Sequence, residues 1–519
     1  MPAASWLTTA RAGLVALHLS LLPAGACTSW HTETAAAPDA IARQQPSTAR
    51  VTLFNGATVV VHEPRIVGDS LAGWSGDRTH EVHIPLSDIR STAIRKVSAA
   101  KTALLLAGVG VTVAAVAAAS SDWGTSPGGG SGGGTGSGNG TYSCPLVYSW
   151  DGHGWRLDSG TFGGAITRGL ARTDVDNLVF AAAPQGVLRL KLANELAETD
   201  YVDELTVLAV DAPHGTAVAP DAEGGLHTIG TLTAPLAARD FAGRDALARV
   251  RSADGWHWES SPAGRDPSRA ADRRDGLEVR FGRPTGSMTA RLVLDANNTP
   301  WAASLMGRFV AAHGGGTQAW YDSLDRNPPM ARELGARIAR QAFLSVAVRT
   351  RAGWVPQGLA WEAGPEVSKQ QVIPLDLRAV DGDTVVVRLE SVPSFWLIDR
   401  VAIDFGKDYP VQVHHIQAHT AVDNHGNERR ANLALSDGVV DTLATGESVL
   451  VSFQAPAVPA GARRTYLVRS TGWYRITSPE RGPSDTALLS SVLAEPDGLS
   501  RVATMRLQEA VALLNRVGQ

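Results

Sequence analysis

The stretch "DTVVVRLESVPSFWLIDRVAIDF", residues 383–405, places two apolar runs on either side of Val392-Pro393-Ser394. In the first run Val385, Val387 and Leu389 recur at every second position, the period of a strand with one buried face. Only turn residues separate the runs. Similar segments surround them: "LSVAVRT" from Leu344, "QVIPLDLR" from Gln371, "ESVLVSFQA" from Glu447 and "TYLVRSTGWYRI" from Thr465. Strands that follow one another across turns, without interleaved helices, argue for antiparallel sandwiches. A second sandwich-like block is therefore expected over residues 344–484.

Working toward the N-terminus, the period changes. "PWAASLMGRFVAAHGGG" from Pro300 and "PPMARELGARIARQAF" from Pro328 read as helices with proline in the first turn, and Gly314 stops the first. They form a helical connector, 299–343. Before it lies a first β-rich block, 143–298, with strands expected at 187–193, 204–211, 277–281 and 290–295. A hairpin is expected around Asp151-Gly152. After the second block comes a helical end, 485–519, with an amphipathic helix from about Ser500 to Val517.

A chain of 519 residues exceeds what one core serves, so several domains are expected. A net charge of −4 with mixed signs gives no electrostatic footprint for nucleic acid. The only cysteines, Cys27 and Cys144, exclude a disulfide framework and a zinc site built on several thiolates.

Residues 1–27 have the layout of a secretory signal peptide: Arg11, an apolar stretch from Gly13 to Leu22, then small residues. The end, Ala24-Gly25-Ala26-Cys27, resembles the lipobox of bacterial lipoproteins, although Ala24 stands where Leu is usual. The resemblance implies lipid attached to Cys27. Residues 28–49 then read as a disordered tether.

From Arg50 short strands follow, with Asn55-Gly56 as a strong hairpin signal. Four or five strands over 50–98 fit a small β-barrel. Through "IPLSDIRSTAIRK" this segment resembles Sm-like and SH3-like barrels. Sm-like barrels often bind RNA, but this one lacks an aromatic and basic face, so a spacer or assembly module is expected.

Next comes "KTALLLAGVGVTVAAVAAASSD", 101–122, within an apolar helix expected over 99–121. Residues 102–119 carry no charge, at the lower limit for crossing hydrocarbon of roughly 30 Å. Three Leu and four Val favour insertion by only about 3 kcal/mol. Arg90, Arg95, Lys96 and Lys101 would put the preceding residues in the cytoplasm, against a cleaved signal that would export them. A membrane-embedded helix is expected, with its direction open. Gly110, Ala114 and Ala118 form a small-residue face suited to homo-oligomer packing. The Gly/Ser-rich linker 122–142 decouples the body of the chain from this helix.

The body opens with "SCPLVYSWDGHGWRLDSG", and "LRLKLANELAETDYVDELTVLAVDAP" continues it from Leu188. This order of small barrel, apolar helix, Gly-rich linker and Cys-Pro…Trp-Asp-Gly opening resembles a group of uncharacterised bacterial envelope lipoproteins. The resemblance spans most of residues 50–500 and implies architecture without an activity.

Candidate chemistry is sparse. His414, His419, Asp423 and His425 in "VHHIQAHTAVDNHGN" are metal-ligand types, although His414 and His415 would face opposite ways on a strand. Asp423 to Asn427 is equally good turn chemistry. Trp354, Trp361 and Trp396 could stack on a glycan or fill the core. His313-Gly314-Gly315-Gly316 resembles an esterase oxyanion loop, but no nucleophile elbow accompanies it. No catalytic residue and no cofactor fingerprint is found. The expectation is a mainly β, non-enzymatic envelope lipoprotein, with an outer-membrane location or an inner-membrane one with a periplasmic body. It would bind a surface protein or glycan. The alternatives are a hydrolase acting on polysaccharide or peptide, or a structural component.

Overall fold

The computed structural model describes residues 28–32, 41, 46, 48–53, 58–68, 70–74, 81–86, 89–97, 144–259, 268–269, 273–361, 363–478, 481–493 and 497–517. Cys27, the apolar run 102–119 and the linker lie outside the described residues. Among the described residues no helix is long and apolar enough to cross a membrane. With 46% strand and 19% helix the chain is mainly β, as expected.

The N-terminal unit has strands β1 (Thr28–Thr32), β2 (Thr48–Leu53), β3 (Thr58–Val67), β4 (Ser70–Trp74), β5 (Glu81–Pro85) and β6 (Ile89–Val97). They form one antiparallel sheet in the order β1-β6-β2-β3-β4-β5. Val51, Val61, Leu71 and Ile84 face one small core. Residues 28–32, expected within a disordered tether, instead pair with the edge of β6, whose free N–H and C=O groups accept another strand.

In the main unit the chain first lays down β7 (Leu146–Trp150), β8 (Trp155–Gly160), β9 (Arg172–Asn177), β10 (Val187–Ala193) and the long β11 (Glu198–Pro213). A hairpin comes next, β12 (Ala217–Pro220) with β13 (Leu226–Ile229). Then come β14 (Ala237–Asp240), β15 (Trp258–Glu259), β16 (Asp275–Gly282) and β17 (Thr289–Asn298). Helices α1 (Pro300–Ala311), α2 (Thr317–Arg326) and α3 (Pro328–Ala342) intervene. The chain returns through β18 (Leu344–Thr350), β19 (Gly353–Ala360), β20 (Lys369–Asp376), β21 (Thr384–Ser391) and β22 (Trp396–Asp404). It continues with β23 (Gln412–Ile416), β24 (Thr420–Asp423), β25 (Asp441–Leu443), β26 (Ser448–Gln454) and β27 (Ala462–Ile476). Helices α4 (Thr486–Leu493) and α5 (Gly498–Val517) complete the order.

Two antiparallel sandwich-like blocks are present, but they are nested rather than consecutive. One is built from both ends of the body: sheet β24-β26-β10-β7-β8 and sheet β23-β11-β27-β9, with β25 added beside β11. The other is inserted between β11 and β23: sheet β14-β16-β21-β18-β19 and sheet β15-β22-β17-β20. The expected boundaries 143–298 and 344–484 therefore cut each sandwich in half. The reason is ladder partnership. Alternation in β10 buries Leu188, Leu190 and Leu192, and their match is Val449, Val451 and Phe453 of β26, more than 250 residues away. Each such side chain withdrawn from water contributes roughly 2 kcal/mol, wherever in the chain its partner lies. The stretch 383–405 also has a different geometry from a hairpin. Val392 to Phe395 carries the chain from β21 in one sheet to β22 in the other.

The hairpin β12–β13 joins the two sandwiches through strand alternation. Val218 packs with Leu208, Val210 and Leu467 on one side. Its neighbour Ala219 packs with Ile229, Val293 and Val372 on the other. A second junction is ionic: Lys369 of β20 reaches Asp176 at 2.8 Å and Asp174 at 3.6 Å on β9. Arg172 holds Asp174 at 2.7 Å, and the Ser159 hydroxyl donates to Asp176 at 2.5 Å. Lys369 is 8% exposed, so the charges are compensated within the protein.

The helices form where local rules require. Thr299 caps α1 by accepting from Ala302 N–H at 3.1 Å, with Pro300 in the first turn. Asn327 caps α3 by accepting from Met330 N–H at 3.3 Å. Val310 and Tyr321 pack with Cys144, Leu146, Ile166 and Tyr474, seating α1 and α2 against the end-built sandwich.

Candidate functional site

The residues singled out as metal ligands do not converge. His414 on β23 lies 3.3 Å from the Asp211 carboxylate, which Arg464 already holds at 2.6 Å. His415 on the opposite face, His419 and His425 are exposed. Asp423 accepts the His425 N–H at 2.9 Å, the Asn427 N–H at 2.8 Å and the Arg429 guanidinium at 2.7 Å. The hydrogen bond from the Asn427 side chain, with those from the turn and Arg429, holds its carboxyl far below the usual range. Among the described residues no three His, Cys, Asp or Glu side chains could hold a metal ion. Strand alternation and turn hydrogen bonding account for all four residues.

The tryptophans also separate. Trp396 is 2% exposed and donates its Nε1–H to Ala342 O at 2.8 Å, so it is core and cannot stack on a ligand. Trp361 packs on Phe343 with ring centres 5.4 Å apart, and Arg172 lies 4.6 Å from its centre. Trp354 has Arg388 and Arg349 over its ring at 4.1 and 5.2 Å. His313 stacks on Trp320 at 4.0 Å, and burial lowers its basicity. Gly314, at φ +55°, then turns the chain out of α1. The esterase-like loop is thus a helix terminator.

Two buried carboxyl groups carry no signal in the sequence. Glu198 and Asp200, 2% and 0% exposed, sit two residues apart on the same face of β11. Burial pushes Asp200 up to about 8, and burial together with the Asp200 charge raises Glu198 well above the usual range. Both carboxyls therefore favour the protonated form in the folded chain. Both lie out of reach of solvent, so a substrate does not meet them.

A concave feature lies where α1 meets the C-terminal helices. A cleft of about 330 Å³ has Leu305, Phe309, Leu488, Val492, Leu499 and Val502 as its apolar floor. Arg308 and Arg506 supply the cationic groups on its wall. Burial, reinforced by the nearby Arg506 charge, depresses the basicity of Arg308. Asp485 also lines the cleft, but its carboxylate accepts Leu488 N–H at 2.9 Å and caps α4. A smaller apolar pocket shares Leu305, Phe309, Val492 and Leu499 and continues toward Met306 and Ile338.

The cleft's volume is within the range of small-molecule sites, and its lining mixes apolar side chains with charged and backbone polar groups. Among the described residues its lining includes no Ser, Cys or His to act as nucleophile or base. The amphipathic pattern of α1 and α5 is legible in the sequence. Their meeting is not, since it joins residues nearly two hundred positions apart. Compared with known family models and with curated proteins, the chain matches none.

Proposed function

We propose that this protein is a non-enzymatic cell-envelope lipoprotein whose β-rich body binds a small molecule in the cleft between α1, α4 and α5. Lipid on Cys27 and the apolar segment 102–119 would hold it to the membrane. The Gly-rich linker would present the body away from that surface, at the outer membrane or in the periplasm. The lipobox-like end of the signal, the linker composition and the resemblance to envelope lipoproteins support this placement. The observation that carries binding over hydrolysis is the composition of the cleft: an apolar floor with two guanidinium groups and no nucleophile–base pair.

The experiment is membrane fractionation of wild type and Cys27→Ala, with protease added to intact cells. Release of the variant from the membrane fraction, with the body cleaved from outside, supports a surface lipoprotein. A variant that stays in the membrane with a shielded body moves the anchor to 102–119 and the body to the periplasm. A wild-type protein found wholly in the cytosol refutes the placement.

A further inference from the structure

We propose, resting on the cleft as the binding site, that its ligand is a single-chain amphiphile with an anionic head, an alkyl carboxylate or alkyl phosphate. The head sits at Arg308 and Arg506, and the chain lies over Leu305, Phe309, Val492 and Leu499.

The chemistry derives from what the walls offer. Arg308 and Arg506 both line the cleft, and burial together with the Arg506 charge depresses the basicity of Arg308, so an anionic group is favoured there over a neutral or cationic one. Arg308 stands in the last turn of α1, where one cation is favoured by the helix dipole, but that does not explain the second. Arg506 pairs with Glu509 at 3.1 Å, with side chains 43% and 55% exposed, an arrangement that contributes little and is readily exchanged. Asp485 is engaged at the start of α4, which leaves the arginine side for the head group.

Guanidinium forks match carboxylate and phosphate oxygens in a bidentate manner, whereas the floor offers no hydrogen-bond partner to a polar tail. The two pockets share four apolar residues, and since the smaller has only about 30 Å³ of free volume the chain lies along the floor of the larger cleft. A sugar would leave its hydroxyl groups unpaired against Leu, Phe and Val, which disfavours a glycan here.

The test is native mass spectrometry of the full chain titrated with dodecanoate, dodecyl phosphate, dodecanol, dodecyltrimethylammonium and acetate. One dodecanoate or dodecyl phosphate per chain is expected, with acetate and dodecyltrimethylammonium at least about tenfold weaker. Arg308→Gln and Arg506→Gln should each weaken the anionic amphiphiles by about tenfold while leaving dodecanol unchanged. Circular dichroism of each variant confirms the fold before comparison. Equal binding of dodecanol and dodecanoate, or arginine variants that bind dodecanoate normally, overturns the anionic head while leaving the cleft as a site. If no dodecyl compound binds, the cleft itself is not the binding site and both proposals fall.

Discussion

Replacing Asp200 by Asn tests the buried acid pair quantitatively. Asp200 binds its proton up to about pH 8 in the folded chain, against an ordinary value of 3.8. Between those limits the folded state keeps a proton that the unfolded state has released. Stability therefore falls as pH rises through this window, and it is level below and above it. The window is about four pH units wide, and at about 1.36 kcal/mol per unit the loss from Asp200 is at most about 5.5 kcal/mol. Glu198, raised as well, adds to this loss as the second member of a coupled pair. Asn replaces the protonated carboxyl with a neutral amide and removes one titration. Asp200→Asn should match wild type near pH 4 and exceed it by a few kcal/mol at pH 8. The assay is guanidinium unfolding followed by tryptophan fluorescence from pH 4 to 9, read as the difference between the two chains. Parallel stability curves, or a variant less stable at pH 8, would refute the raised proton affinity of Asp200.

Other substitutions probe the joints. Lys369→Met leaves Asp176 buried without its cation, while Arg172 still holds Asp174, so a loss of about 3–5 kcal/mol in urea unfolding is expected, partly restored by adding Asp176→Asn. Gly276→Ala would drive a Cβ into the Leu389 carbonyl across the β16–β21 ladder, and its melting temperature should drop sharply. Gly314→Ala meets both a positive φ and the Gly482 carbonyl, so it should cost about 1–3 kcal/mol and weaken dodecanoate binding by disturbing the cleft wall. Adding zinc should leave the melting temperature unchanged, because His414, His419, Asp423 and His425 are held apart, and a rise abolished by Asp423→Ala would contradict this.

The local elements are legible because their signals are local. Alternation marks β10, and proline with a capping residue marks α1 and α3. For β11 the apolar pattern reveals only 204–211 within Glu198–Pro213. A strand buried on both faces carries charged residues such as Glu198 and Asp200 that interrupt an apolar run. The nesting is illegible for a physical reason: registry between Leu190 and Val451 depends on long-range pairing that no neighbouring residue encodes. The histidine-rich stretch misleads because ligand types and turn types overlap at Asp423, and only the observed hydrogen bonds separate them. In the cleft, Arg308 is visible as a charge at the end of an apolar helix, but its approach to Arg506 depends on where α5 docks.

The most direct measurement is native mass spectrometry of the full chain extracted from its own envelope, beside the same chain carrying Arg308→Gln and Arg506→Gln. The proposed function predicts one bound single-chain anionic amphiphile on the wild type and a bare chain for the double variant. A bare wild-type chain that also refuses added dodecanoate, or a bound species that the double variant keeps unchanged, would contradict it.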